Sequence, residues 1–179
     1  YLRTIDDADK IIKAAGHSKR ALIIGGGFIG IEFASCFKLN GISDITVLVR
    51  EPYFWSGKLD EESSKVLVGV LEKNGIKVLV GDEVKRFEEG KAFTKDGKTI
   101  DFDVVGVGIG IRGDFSWLDG SGVEYSRGVK TNEYLKTNVA GIYAAGDCAE
   151  FKDVVFERQH IMGNWANATS QGSIVGKNM

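Results

Sequence analysis

The sequence predicts an α/β chain in which a parallel sheet is layered between helices and a small antiparallel insert. Three observations predict it. Short apolar runs alternate with segments of helical period, the pattern of a parallel sheet joined by crossover helices. The first apolar run, Ala21 to Ile24, breaks into Gly25-Gly26-Gly27-Phe28-Ile29-Gly30 and continues as a helix-like stretch, so a G-x-G-x-x-G lies in strand–turn–helix context. Twenty-four glycines stand against one proline, Pro52, and the glycines cluster in tight turns after apolar runs, where backbone can approach a ligand closely.

Thr4 is placed to cap a helix whose first turn carries Asp6 and Asp7. Ile5, Ala8, Ile11, Ile12 and Ala15 recur at helical spacing, and Gly16 is the expected stop. Ala21 to Ile24 is a strand, and the helix after the glycines carries Ile31, Phe33, Ala34, Cys36 and Phe37. Ile45 to Val49 then completes a βαβ unit. Leu59 to Lys73 reads as a helix with Val66, Leu67, Val70 and Leu71 inward, and Ile76 to Val80 as a third strand. "EVKRFEEGKAFTKDGKTID" has the form of a β-meander with turns at Glu89-Gly90 and Asp96-Gly97. "FDVVGVGIGIR" is a continuous apolar run, as expected for a parallel strand buried on both faces. Near the end, Gly141 to Ala145 reads as a short strand that stops at Gly146-Asp147. After it, Ala168, Gly172, Ile174 and Val175 can form one packed helix face, with Trp165 ahead of the helix.

Composition narrows the function classes. The 179 residues are 43% hydrophobic and 27% charged, with net charge -2. That is an ordinary globular balance without the basic stripe of a nucleic-acid binder, and no apolar run is long enough to span a bilayer. Cys36 and Cys148 have no partner at metal or redox spacing, which fits a reducing, cytoplasmic setting and predicts two small buried residues.

The glycine motif predicts a dinucleotide site. Gly25 makes the tight turn, Gly27 lets backbone approach a pyrophosphate, and Gly30 permits close helix–strand packing. The phosphates would sit at the helix N-terminus, where free N–H groups and the macrodipole favour negative charge. At the end of the second strand, Val49 stands where an acid would bind an adenosine ribose, and Arg50 and Glu51 follow. Arg50 can pair with a 2′-phosphate and so favours NADP(H), whereas Glu51 can accept from a ribose hydroxyl and leaves NADH open.

Four stretches together carry a family resemblance: "YLRTIDDADKI", "IIGGGFIGIEFAS", "VGIGIRGD" and "TNVAGIYAAGDCAE". In that order they resemble the FAD-dependent pyridine nucleotide–disulfide oxidoreductases, in particular the ferredoxin or rubredoxin reductase and NADH oxidase-like branch. The resemblance implies a Rossmann-like three-layer NAD(P)-binding domain with a β-meander over residues 1–111. It implies the second segment of an FAD-binding domain, incomplete here, over residues 112–179. It implies that Phe28 covers the flavin until nicotinamide displaces it, that Glu32 lies near the nicotinamide, and that the Asp147 carboxylate, presented by Gly146, binds the ribityl chain of FAD. "NWANATSQGSIVGKNM" resembles the tail of flavin-dependent ferredoxin reductases and implies that Trp165 stacks near the flavin. Gly110 stands at the family's strand-to-crossover turn, where Gly113-Asp114 replaces Pro-Asn and predicts a looser turn.

The implied activity is hydride transfer from NAD(P)H to FAD, and onward transfer to a small electron-transfer protein or a disulfide. The alternative implied by the same plan is a nucleotide-responsive interaction protein of apoptosis-inducing-factor type with weak reductase activity. The motif order also implies that these residues are a piece of a longer protein, and an unpaired sheet edge in residues 112–179 would make a homodimer one way to cover it.

Overall fold

The computed structural model describes residues 2–179; Tyr1, the first residue of the lead-in segment, lies outside them. The chain divides into two compact units, Tyr1–Gly110 and Ile111–Met179, each with its own core.

In the first unit, helix α1 (Ile5–Gly16) starts with a reciprocal cap. The Thr4 hydroxyl accepts from the Asp7 amide at 3.2 Å, and the Asp7 carboxylate accepts from the Thr4 amide at 3.1 Å. Gly16 is the last helical residue, and His17 caps the end in an ordinary right-handed conformation, so glycine is not the stop that the sequence suggested. Strand β1 (Arg20–Ile24), helix α2 (Phe28–Leu39), strand β2 (Asp44–Val49), helix α3 (Glu61–Lys73) and strand β3 (Ile76–Val80) follow. The meander is β4 (Val84–Glu88), β5 (Lys91–Thr94) and β6 (Thr99–Asp101), and β7 (Val104–Val107) closes the unit.

The sheet runs β3-β2-β1-β7, all parallel. Successive strand side chains point to opposite faces, and that alternation builds three layers. Ala21, Ile23, Ile45, Val47 and Val49 face one core with Ala34 and Phe37 of α2 and Leu67, Val68 and Leu71 of α3. Leu22 and Leu48 face the other, with Ala92, Val84, Ile100 and Phe102 of the meander. The fold is the expected α/β Rossmann-like arrangement of helices, parallel sheet and meander.

Helix α3 is rotated from the expected register: Val66 and Val70 are exposed, and Ser64, Leu67, Val68 and Leu71 form its inner stripe. The Asp60 carboxylate accepts from the Ser63 amide at 2.7 Å and so starts the helix at Glu61 rather than Leu59. The apolar run around β7 is not buried on both faces, because β7 is an edge strand of the sheet and Val105 and Val107 are exposed.

Two carboxylates lock the connections. Asp82 is buried between β3 and β4 and accepts from the amides of Glu83 (2.9 Å) and Asp96 (3.2 Å) and from Lys98 Nζ (3.2 Å). Burial pushes its pKa up, but these hydrogen bonds together with the Thr94 hydroxyl outweigh burial and hold it at about 2. Asp103 takes two bonds from the Arg20 guanidinium, at 2.7 and 3.2 Å, and two from the Lys19 and Arg20 amides, which also hold its pKa at about 2.

In the second unit, a 3-10 turn (Ser116–Leu118), β8 (Val129–Thr131), a second 3-10 turn (Gly146–Cys148), β9 (Ala149–Asp153), β10 (Arg158–His160) and helix α4 (Trp165–Asn178) surround Phe115, Val123, Val129, Ala144 and Ala149. The sheet order is β10-β9-β8, with β8 parallel and β10 antiparallel to β9. Gly141 to Ala145 is not a ladder strand. It makes one antiparallel bridge, Tyr143 to Lys136, and the strand lies beyond the turn instead. On α4, Gly172 and Ile174 face outward, and the buried position is polar, Gln171. Trp165 is the first residue inside that helix, with Asn164 as its cap. Both cysteines, expected to be buried, are exposed.

Candidate functional site

The end of β1 is a point where connections diverge. From β1 the chain reaches β2 through α2 on the helical face, while β3 reaches β7 through the meander on the other face. Such a switch opens a crevice at the C-terminal ends of the strands. The glycine loop fills that position. The Gly25 amide donates to Leu48 O at 2.9 Å, and the Gly108 amide donates to Ile24 O at 2.8 Å, so the loop is tied to strands on both sides.

The three motif glycines have different reasons to be glycine. Gly25 has φ +98°, and a Cβ there would lie 2.3 Å from Gly108 O. A Cβ on Gly30 would lie 2.0 Å from Gly25 O. Both are required by the protein's own packing. Gly27 is not: its nearest neighbour would be Gly108 O at 3.9 Å, so its bare face is open. Gly27 also caps α2 without any side-chain bond. Among the described residues, no protein group accepts from the amides of Gly27, Phe28 or Ile29, and all three residues are exposed. Free N–H groups at a helix N-terminus with no side chain in front are the donor set that a pyrophosphate needs.

Around this loop, Phe28 is half-exposed and meets Trp55 edge-on, with centroids 5.3 Å apart. Lys58 Nζ lies 5.0 Å from the Phe28 ring centre. Glu32 is exposed one turn along α2, on the helix that Phe28 opens. Arg50 follows the last residue of β2 and pairs with Glu51 at 3.4 Å, both on the surface. Gly110, with φ +95°, lies three residues past β7 with open space where its Cβ would be.

In the second unit, Gly146 takes φ +79° and turns the chain so that Asp147 projects. A Cβ on Gly146 would sit 3.3 Å from Ala168 Cβ, so α4 packs directly on this turn. The Gly146 amide donates to the buried Gln171 Oε1 at 2.8 Å. Asp147 is exposed, lies beside Gly163, and has no hydrogen bond or ion pair among the described residues. Its carboxylate is therefore free to accept from hydroxyl groups. Trp165, at the other end of α4 from its C-terminal cap, is 84% exposed. Behind the turn, buried Glu150 accepts from the Ser126 hydroxyl, the Gly128 amide and Arg127, which anchors the start of β9.

The family profile of the pyridine nucleotide-disulphide oxidoreductases matches residues 1–172. The chain belongs to that family. Members are FAD-dependent and use NAD(P)H. Monodehydroascorbate reductase of Pisum sativum is 35% identical over 159 residues, covering 84% of this chain and 36% of that protein. NADH oxidase of Methanocaldococcus jannaschii is 30% identical over 184 residues, covering 99% of this chain and 41% of that protein. The crystal structure of the ferredoxin reductase for the CYP199A2 system from Rhodopseudomonas palustris superposes with a TM-score of 0.87 at 27% identity, over 99% of this chain and 45% of that one. The chain thus spans less than half the length of these family members.

The structure brings Gly25, Gly27, Phe28, Ile29, Gly30 and Glu32 together on one loop and helix start, with Arg50 at the end of the neighbouring strand. Gly146 and Asp147 share a second feature with α4, which Trp165 begins. Sequence reasoning missed Gly108, Phe54 and Trp55. The sequence signal for the last two was the aromatic run Tyr53-Phe54-Trp55, directly after the single proline, Pro52, in the connection between β2 and α3.

Proposed function

We propose that this chain supplies the pyridine-nucleotide site and the second flavin-contacting segment of an NAD(P)H-dependent flavoprotein oxidoreductase. The observation that carries the reading is the open start of α2: amides of Gly27, Phe28 and Ile29 that have no acceptor among the described residues, beneath a glycine whose missing side chain none of those residues requires. These amides would hold the pyrophosphate. Arg50 would meet an adenosine 2′-phosphate, and Glu51 a free 2′-hydroxyl. The projecting Asp147, without a partner among the described residues, suits the hydroxyls of a ribityl chain. When bound, NAD(P)H supplies a hydride and FAD accepts it. Phe28 would shield the ring site from water, and Glu32 would face the nicotinamide end.

The relatives named above differ in the acceptor their names give. The likeness to a ferredoxin reductase supports a small electron-transfer protein as the onward acceptor, with a disulfide as the competing substrate. All three are enzymes, which supports the reductase over the interaction-protein reading.

The visible absorption spectrum tests this, taken on the purified chain with and without FAD and then on the full gene product. A flavin band in the full product that bleaches on anaerobic addition of NADH or NADPH is the expected result. A full product that binds neither flavin nor nucleotide would overturn the reading.

A further inference from the structure

We propose that Trp55 is a positioning residue for the pyridine nucleotide, acting through the Gly26–Gly27 peptide; the inference rests on the nucleotide site proposed above. The loop after β2 does more than carry Arg50. It folds back onto the glycine motif through two adjacent aromatics. Phe54 is completely buried and occupies the space beside Gly26, where a Cβ would come within 2.7 Å of its ring. Trp55 stacks on Phe54, with centroids 5.8 Å apart and planes 15° apart. Its indole N–H donates to the Gly26 carbonyl at 2.6 Å.

That carbonyl belongs to the same planar unit as the Gly27 amide. In a trans peptide the C=O and N–H point in opposite directions, so a donor that fixes one fixes the other. By holding the Gly26 oxygen, Trp55 aims the Gly27 N–H away from itself. Among the described residues, that N–H has no acceptor. A glycine–glycine peptide is otherwise the freest in the chain to rotate. Trp55 also sits at φ +58°, a conformation a bulky residue keeps only where its surroundings impose it. Its other edge contacts Phe28. Packing alone accounts for Phe54; it does not account for an indole N–H aimed at the Gly26 carbonyl, whose peptide carries the first of the three amides at the open site.

The test is nucleotide binding to the chain and to Trp55→Phe, which keeps an aromatic ring beside Phe54 and loses the N–H donor together with the second ring of the indole. Dissociation constants for NADH and NADPH are expected to rise about five- to tenfold, the usual worth of one aligned hydrogen bond. Affinity for 2′-AMP, which lacks the pyrophosphate, should stay the same. Trp55→His, which restores a ring N–H, should recover part of the loss. Independently of any variant, the Trp55 indole and Gly27 amide resonances of the wild-type chain should shift together when NADPH is titrated. A wild-type chain that binds neither nucleotide refutes the underlying site. A chain that binds, with Trp55→Phe unchanged in affinity even if less heat-stable, assigns Trp55 to packing and overturns this inference alone. So does a Trp55 indole signal that stays still at saturation.

Discussion

Replacing Gly30 with alanine sets local preference directly against tertiary packing. Gly30 lies inside α2, where alanine is favoured over glycine by about 1 kcal/mol on helix propensity alone. The structure reverses the sign. The new Cβ would lie 2.0 Å from Gly25 O and 3.1 Å from Gly25 C, both backbone atoms. Gly25 cannot retreat, because its amide is bonded to Leu48 O at 2.9 Å. Restoring an ordinary contact requires the helix start to move by roughly 1 Å, which breaks its close fit to the sheet. Overpacking on that scale costs about 3 kcal/mol, so the expected balance is a loss of about 2 kcal/mol. Gly69→Ala in α3 is the control, since nothing lies within 4 Å of its Cβ position; it should gain about 0.5–1 kcal/mol. Urea unfolding followed by far-UV circular dichroism measures both. Gly30→Ala should also melt about 4–8 °C lower. If Gly30→Ala proved as stabilising as Gly69→Ala, the interlocked loop described here would be wrong.

Three further outcomes follow from other contacts. Asp103 and Asp82 both have folded-state pKa values of about 2, below their ordinary 3.8, so the unfolded chain binds more protons between those values. Their contribution to stability should therefore be complete above about pH 5 and drain away as pH falls towards 2; Asp103→Asn should flatten that slope in acid titrations of unfolding, and an unchanged slope would refute the Arg20 clamp. Gln171→Leu leaves the Gly146 amide buried without its acceptor and should destabilise the chain by about 1–3 kcal/mol in denaturant unfolding. In the full gene product, Arg50→Ala should raise the KM for NADPH by about tenfold or more and leave that for NADH nearly unchanged; equal effects on both would remove Arg50 from the adenosine site.

Periodicity and turn chemistry in the sequence were enough for the order of the elements in the first unit. The Thr4 cap, the strands at Ile45–Val49 and Ile76–Val80, and the meander turns at Gly90 and Gly97 are local in origin, because each depends on residues within a few positions of one another. The glycine motif was likewise legible, since strand, turn and helix are consecutive. Tertiary structure decided what depends on distant partners. Val66 and Val70 have the right spacing for a core stripe, yet the sheet meets the adjacent face of α3. The β7 run is as apolar as a central strand but stands at the edge of the sheet. Gly141–Ala145 resembles a strand, but its neighbours offer only one bridge. The difference between Gly30, which packing demands, and Gly27, which it does not, appears only when Gly25 and Gly108 are in place. The hold of Trp55 on Gly26 spans twenty-nine positions of chain and no spacing rule anticipates it. In the first unit, local sequence determined which segments are strands and helices and where the glycine turn lies; only packing between distant segments decided which faces are covered there and which segments pair as strands in the second unit.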